Sequence, residues 1–264
     1  MDAVSAANNI TSLFSSVLKG LEYVQLARSF GDDLKLHQLR LDLIRLRLSR
    51  WGQATGLCST ESEGGTDVEN NGKNAIIEDK ADDIEDLLDV IRNVLKKAMA
   101  ESQKLAPKGV DIDDGESELG PPRFKRLQLK IRNLVKKRCL RAGDHIKGVK
   151  WILYKKEQCE ALTTQLTELI GQLEQLAAPE EKLQELTKEE CDEMGDSLKT
   201  LLEVAEAVDP LLETAASQKL EADAAARGVS VSAGINNGVQ LGVNHGSLKG
   251  LIFGANSTVT NNWK

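Results

Sequence analysis

Apolar residues recur every three or four positions along most of this chain, and that spacing predicts helices. In the first 30 residues the series runs Val4, Ala7, Ile10, Leu13, Phe14, Val17, Leu18 and Leu21, with no charged residue from 3 to 18. Residues 32–51 carry leucines at 34, 36, 39, 41, 43, 46 and 48. Partial alternation there suggests a strand, but Gly, Pro and Val are absent and Leu and Arg predominate. This favours a helix apolar on more than one side, central to a bundle. Helical spacing resumes over 76–99 through Ile77, Ile84, Leu87, Leu88, Ile91 and Leu95. Pro121-Pro122 signals the start of a basic helix, with a break at Gly143, and a further helix over 151–177 ends at Pro179. A last one spans about 186–226 through Met194, Leu198, Leu201, Leu202, Ala205, Val208 and Leu212; Pro210 should kink or divide it. Residues 59–72 and 107–122 read as acidic loops.

The pattern changes after Arg227. Only Lys249 and Lys264 are charged from there on, and Gly, Asn, Ser and Val dominate. Glycines stand at 234, 238, 242, 246, 250 and 254, every fourth residue. Odd positions between them hold Ile235, Val239, Leu241, Val243, Leu251 and Phe253, interrupted by Asn237, His245, Ser247 and Lys249; even ones hold Asn236, Gln240, Asn244, Leu248 and Ile252. A period of two puts one aliphatic face on a strand, with Gly, Gln and Asn opposite. A lone strand cannot offset its ordering entropy, so the tail either stays disordered or pairs with copies of itself in cross-β ladders. Composition alone favours disorder, whereas the regular phasing favours self-assembly. The expected fold is all-α: a helical bundle over 1–226, then an amyloid-forming tail over 227–264 with no stable fold as a monomer.

Charge sharpens the picture. Residues 123–156 hold 13 Lys/Arg against the single acid Asp144, while the whole chain carries 34 bases and 41 acids. Aliphatics keep helical spacing through the basic segment, so its charge reads first as a solvated face or a partner for acidic helices. Attraction to anionic lipid comes second, through Arg123, Lys130, Lys136, Lys137 and Arg138, and nucleic acid comes third. Glu189-Glu190 and Asp82-Asp83 read as acidic helix surfaces. Four cysteines lack CxxC or His spacing and read as small apolar fillers in a reducing compartment. The histidines are isolated, and no G-x-S-x-G, Walker loop or H-E-x-x-H occurs. These features exclude the familiar enzyme classes and point to no cofactor and no metal. No run of 18 apolar residues and no basic n-region appear, so a cytoplasmic location is expected.

Residues 21–31 (LEYVQLARSFG), 38–43 (QLRLDL), 47–52 (RLSRWG) and 151–155 (WILYK) closely resemble the fungal HeLo domain of the HET-s/LopB family. The resemblance covers residues 1–224. It implies a helical bundle acting as a membrane-targeting cell-death effector, whose N-terminal segment is released when a C-terminal prion motif folds into amyloid. Val4, Ile10, Leu13, Phe14, Val17, Leu18 and Leu21 would form that latent segment, interrupted by Lys19 and Glu22. The tail departs from the HET-s pattern, being too short for two such repeats and lacking their charged character. Residues 237–250 (NGVQLGVNHGSLKG) are more similar to the sigma amyloid motif of related incompatibility proteins. On that basis Ile235, Asn236, Gly238, Val239, Gln240, Leu241, Gly242, Val243, Asn244, Gly246, Leu248, Gly250, Leu251 and Phe253 form the amyloid motif. The implied partners are further copies of the chain, an NLR-type receptor with a matching motif and, after activation, plasma-membrane lipid. The rivals are a non-toxic prion-propagating scaffold and, more distantly, a nucleic-acid-binding helical domain.

Overall fold

The computed structural model describes residues 3–27, 33–58, 79–105, 121–139, 151–206 and 208–226. The tail and its whole amyloid motif lie outside them, as do residues 59–72 and 107–120 of the two acidic loops and Gly143. Helices dominate the described residues, as expected: α1 (Ala3–Glu22), α2 (Leu34–Ala54), α3 (Ala81–Leu105), α4 (Pro122–Cys139), α5 (Lys156–Ala177), α6 (Glu180–Met194), α7 (Leu198–Ala205) and α8 (Pro210–Ala226). The chain divides into two units, Met1–Ser217 and Gln218–Lys264, and every buried side chain among the described residues belongs to the first.

Helix α2 is the axis of the bundle. Each residue from Leu41 to Gly52 is buried, because α1, α4, α5, α6 and α7 all pack against it. Its leucines fall on two opposing faces, as a helix packed on more than one side requires. The outer helices are one-sided. Helix α3 buries Ile84, Leu88, Ile91 and Leu95; α5 buries Cys159, Leu162, Leu166, Ile170 and Leu173. Acidic Asp82 and Asp83 begin α3, and Lys136, Lys137 and Arg138 end α4, each charge favourable to the helix dipole at its end. Pro122 opens α4, where a missing N–H costs nothing.

Three departures from the expected elements have physical reasons. Val24–Leu26 (β1) and Trp151–Leu153 (β2) are not helical but pair as parallel strands, with Val24 opposite Trp151 and Leu26 opposite Leu153. Trp151 and Leu153 are buried on alternate positions, which extended backbone allows and a helix start does not. The expected 186–226 helix begins earlier, directly after Pro179, and is broken twice. Gly195 at φ +46° ends α6, a conformation that suits glycine, and Pro210 restarts the chain as α8. Cys58 and Cys139 are not separate fillers but form a disulfide across 81 residues, with Cα atoms 5.0 Å apart. Cys159 and Cys191 lie outside this bond and are buried.

Candidate functional site

Helix α1 lies on α2 and α3, and its apolar stripe faces inward. Ile10, Leu13, Phe14, Val17, Leu18 and Leu21 are all buried; Val4 lies in α1, but its side chain is outside the described set. The Phe14 ring stands 5.9 Å from that of Trp51, at 48°. It also lies on Gly52, where any Cβ would overlap it, so Gly52 provides the space for this aromatic. Gly20 plays a milder version of the same part, since a Cβ there would come within 3.1 Å of Leu95 Cδ1. Asn8, Asn9, Ser12 and Ser16 face outward.

The C-terminal end of α1 is pinned by polar contacts. Glu22 pairs with the nearly buried Arg45 at 3.0 Å. The Trp151 indole N–H donates to Gly20 O at 3.4 Å, and the Trp151 backbone N–H donates to Tyr23 O at 3.0 Å. Ala27 N–H donates to Leu153 O at 2.9 Å, so the strand pair fixes the segment after α1. On its far side, β2 is tied to α3 through Ser102 Oγ, which donates to Ile152 O.

A second constellation sits between α2 and the root of α8. Arg50 is fully buried; it donates to Thr187 Oγ1 and to Asp209 Oδ2, and its Nε stands 3.5 Å from Glu190 Oε1. Arg138, from α4, donates to the same Glu190 and to Leu186 O. The four charges of Arg50, Arg138, Asp209 and Glu190 cancel, which is what makes the cluster tolerable in the interior. Burial pushes the Glu190 carboxyl above its usual range, with the two arginines pulling against it. Burial alone would lower Arg50, but Asp209 and Glu190 outweigh it and hold the guanidinium charged. Asp209 Oδ1 accepts the Leu212 N–H at 3.1 Å, making Asp209 the N-cap of α8 with Pro210 following it. One turn earlier on α2, Arg47 forks onto Glu174 through contacts of 2.6–3.1 Å and donates to Val208 O at 2.9 Å. The helix that leads to the tail therefore starts from two buried arginines of the central helix.

Sequence reasoning missed this cluster. Glu190 is not on an acidic surface but wholly buried. Arg138 is not on a lipid-accessible face, for the Glu190 pair holds it inside. Of the other basic residues, Arg123 pairs with Glu203 at 2.8 Å, Lys130 with Asp196 at 2.6 Å, and Lys137 approaches Glu193 at 3.4 Å. Lys136 is exposed. Much of the α4 charge thus meets acids on α6 and α7 and on the turn between them. A signal was available: at helical spacing Arg47 and Arg50 fall on the face of α2 that carries Leu36, Leu39, Leu43 and Leu46, away from the polar stripe of Lys35, Gln38, Asp42, Arg45, Ser49 and Gln53.

Fold and site together define a helical-bundle domain with an apolar N-terminal helix seated on it and a C-terminal helix rooted in its centre. Comparison gives the family. The HeLo family model, described as prion-inhibition and propagation, matches residues 3–204, and the chain belongs to that family. It is 28% identical over 225 residues to heterokaryon incompatibility protein S of Podospora anserina, covering 84% of this chain and 75% of that protein. It is 30% identical over 226 residues to heterokaryon incompatibility protein s of the same organism, covering 83% and 74%. Solved structures of the HET-s N-terminal domain superpose with TM-scores of 0.67 and 0.64, at 26% and 27% identity, covering 81% and 80% of this chain and 98% of each domain.

Proposed function

We propose that this chain is a fungal programmed-cell-death effector of the heterokaryon-incompatibility type. Amyloid templating of residues 227–264 switches the bundle of residues 1–226 into a form whose N-terminal helix enters and permeabilises the plasma membrane. In this reading it waits in the cytoplasm and acts by binding and assembly, without catalysis. Its partners are further copies of itself, an NLR-type receptor bearing a similar motif, and lipid.

The observation that carries the reading is α1. It is uncharged from residue 3 to residue 18 and buries its whole described apolar stripe. Six such side chains contribute on the order of 10 kcal/mol of burial, so the helix does not leave into water. A bilayer offers an equivalent apolar home. Twenty residues rise about 30 Å, which matches the hydrocarbon core.

The rival, a non-toxic prion scaffold, has one observation in its favour. Among the described residues no helix is long and apolar enough to cross a membrane, because Ser and Asn dilute α1. Induced expression in fungal cells, with and without fibrils of the tail, separates the two. The effector reading expects death only where fibrils are present. Full viability with the chain visibly converted would establish the scaffold instead.

A further inference from the structure

The end of α2 brings a disulfide against the seat of α1. Thr55 caps the helix, and Gly56, at φ 83°, turns the chain back so that Cys58 N–H donates to Gly52 O at 3.0 Å. Cys58 Sγ then lies over Gly52: a Cβ built there would stand 3.1 Å from that sulfur and 2.8 Å from Phe14 Cε2. Phe14, Gly52 and the Cys58 sulfur therefore meet at one point. The bond from Cys58 runs to Cys139, the last residue of α4, and so holds the floor under Phe14 from the α4 side. Cys58 is buried and Cys139 is half-buried, so a reductant reaches the bond through Cys139. The two remaining cysteines do not compete for this chemistry; both are buried, and burial pushes the Cys159 thiol up to about 11.

We propose that the Cys58–Cys139 disulfide is a reducible clamp on the N-terminal helix, so that release of α1 depends on the redox state of the cell as well as on the tail. The inference rests on the proposed release of α1 and names a regulator of it. The reductant is a dithiol. One of its thiolates attacks Cys139 Sγ, the Sγ–Sγ bond breaks, and Cys58 leaves as a thiolate that takes up a proton. The second dithiol sulfur then attacks the mixed disulfide and releases Cys139, which is protonated in turn. Two electrons pass to the protein, two thiols form, and the dithiol ends as its own disulfide. Cys58 is then free to leave Gly52, and the seat of Phe14 opens on that side. In a reducing compartment such a bond persists only transiently, the usual behaviour of sensing disulfides.

The test is hydrogen exchange on the full chain, oxidised and after dithiothreitol, with Cys58→Ser/Cys139→Ser alongside. Reduction should speed exchange in residues 10–21 by about tenfold or more, while peptides from 162–173 change by less than about threefold. Gly52→Ala in the oxidised chain should reproduce the effect, because its methyl displaces Phe14, and reduction should then add nothing. Equal acceleration in all helices, none in residues 10–21, or full additivity between Gly52→Ala and reduction would overturn the clamp. Leakage of dye from phosphatidylserine vesicles, seeded with tail fibrils, is measured in parallel. Faster exchange in residues 10–21 with no leakage in either redox state supports the clamp and counts only against the membrane function.

Discussion

Replacing Arg50 with Met tests whether the buried charge cluster holds the root of α8. Met fills most of the arginine's length, so no large cavity confuses the result. The variant loses the contacts to Thr187 and Asp209 and the 3.5 Å approach to Glu190. Arg138 still covers Glu190, while Arg47 is engaged with Glu174, so Asp209 is the charge left buried without a cation. Removing one partner from a buried pair costs about 3–5 kcal/mol. In a domain of this size that lowers Tm by about 6–20 °C. The penalty should depend on pH. A carboxyl whose folded pKa is raised, as burial already raises Glu190, stabilises the fold below its unfolded pKa and loses that contribution as pH rises through the folded value. Losing Arg50 removes the foremost charge pulling the Glu190 carboxyl down and so raises it further, and the gap between variant and wild type should be widest at about pH 7 and narrow towards about pH 4.5. Adding Asp209→Asn should recover about 2 kcal/mol, since Asn caps a helix as well as Asp and carries no charge. Urea denaturation of the full chain, followed by circular dichroism at both pH values, measures all three. An Arg50→Met variant within about 1 kcal/mol of wild type at pH 7, or a gap unchanged at pH 4.5, would refute the reasoning.

The remaining predictions follow from the two ends of the chain. Phe14→Ala, at a side chain packed on Trp51 and Gly52, should lower stability by about 3 kcal/mol in urea denaturation and shorten the lag before seeded leakage. A chain ending at Ala226 should keep cooperative, helical unfolding, because every buried side chain among the described residues precedes Ser217; loss of cooperativity would contradict the boundary. In a 228–264 peptide, Leu241→Asp or Val243→Asp should abolish seeded thioflavin kinetics, because a charge in a dry layer repeats in every molecule. Leu241→Pro should do the same by removing a ladder donor, and Gln240→Ser should only slow assembly. Equal kinetics for Leu241→Asp and wild type would end the strand-register reading.

The central place of α2 was legible in the sequence because leucines fall on more than one side of it, a pattern that suits a helix packed from opposite directions. The break at Pro210 was legible for a local reason too, since proline cannot continue a helix from within. What stayed hidden was long-range. Arg47 meets Glu174 across 127 residues and Arg50 meets Asp209 across 159, and nothing in either neighbourhood marks the partner. A charged residue is read as exposed unless its partner is known, which is why Glu190 was misplaced and Arg138 was assigned to a lipid face. The β1–β2 pair failed for a related reason. Three residues are too few for period-two alternation to outweigh the helical spacing around them, and their partner strand lies 127 positions away. Disulfide pairing of Cys58 with Cys139 depends on α2 and α4 ending side by side, which spacing along the chain does not encode.

The central claim is that tail amyloid sends α1 into the bilayer, and seeded dye leakage from anionic vesicles with the full chain and a Ser12→Lys variant tests it most directly. Ser12 is exposed on α1, so the substitution should leave thermal stability within about 0.5 kcal/mol. Lysine at the centre of an inserted helix costs about 2.5–3.5 kcal/mol. Wild type should leak only after fibril seeds are added, and Ser12→Lys should leak far less at the same degree of conversion. Equal leakage from the two, or leakage from wild type that does not depend on seeds, would contradict the account.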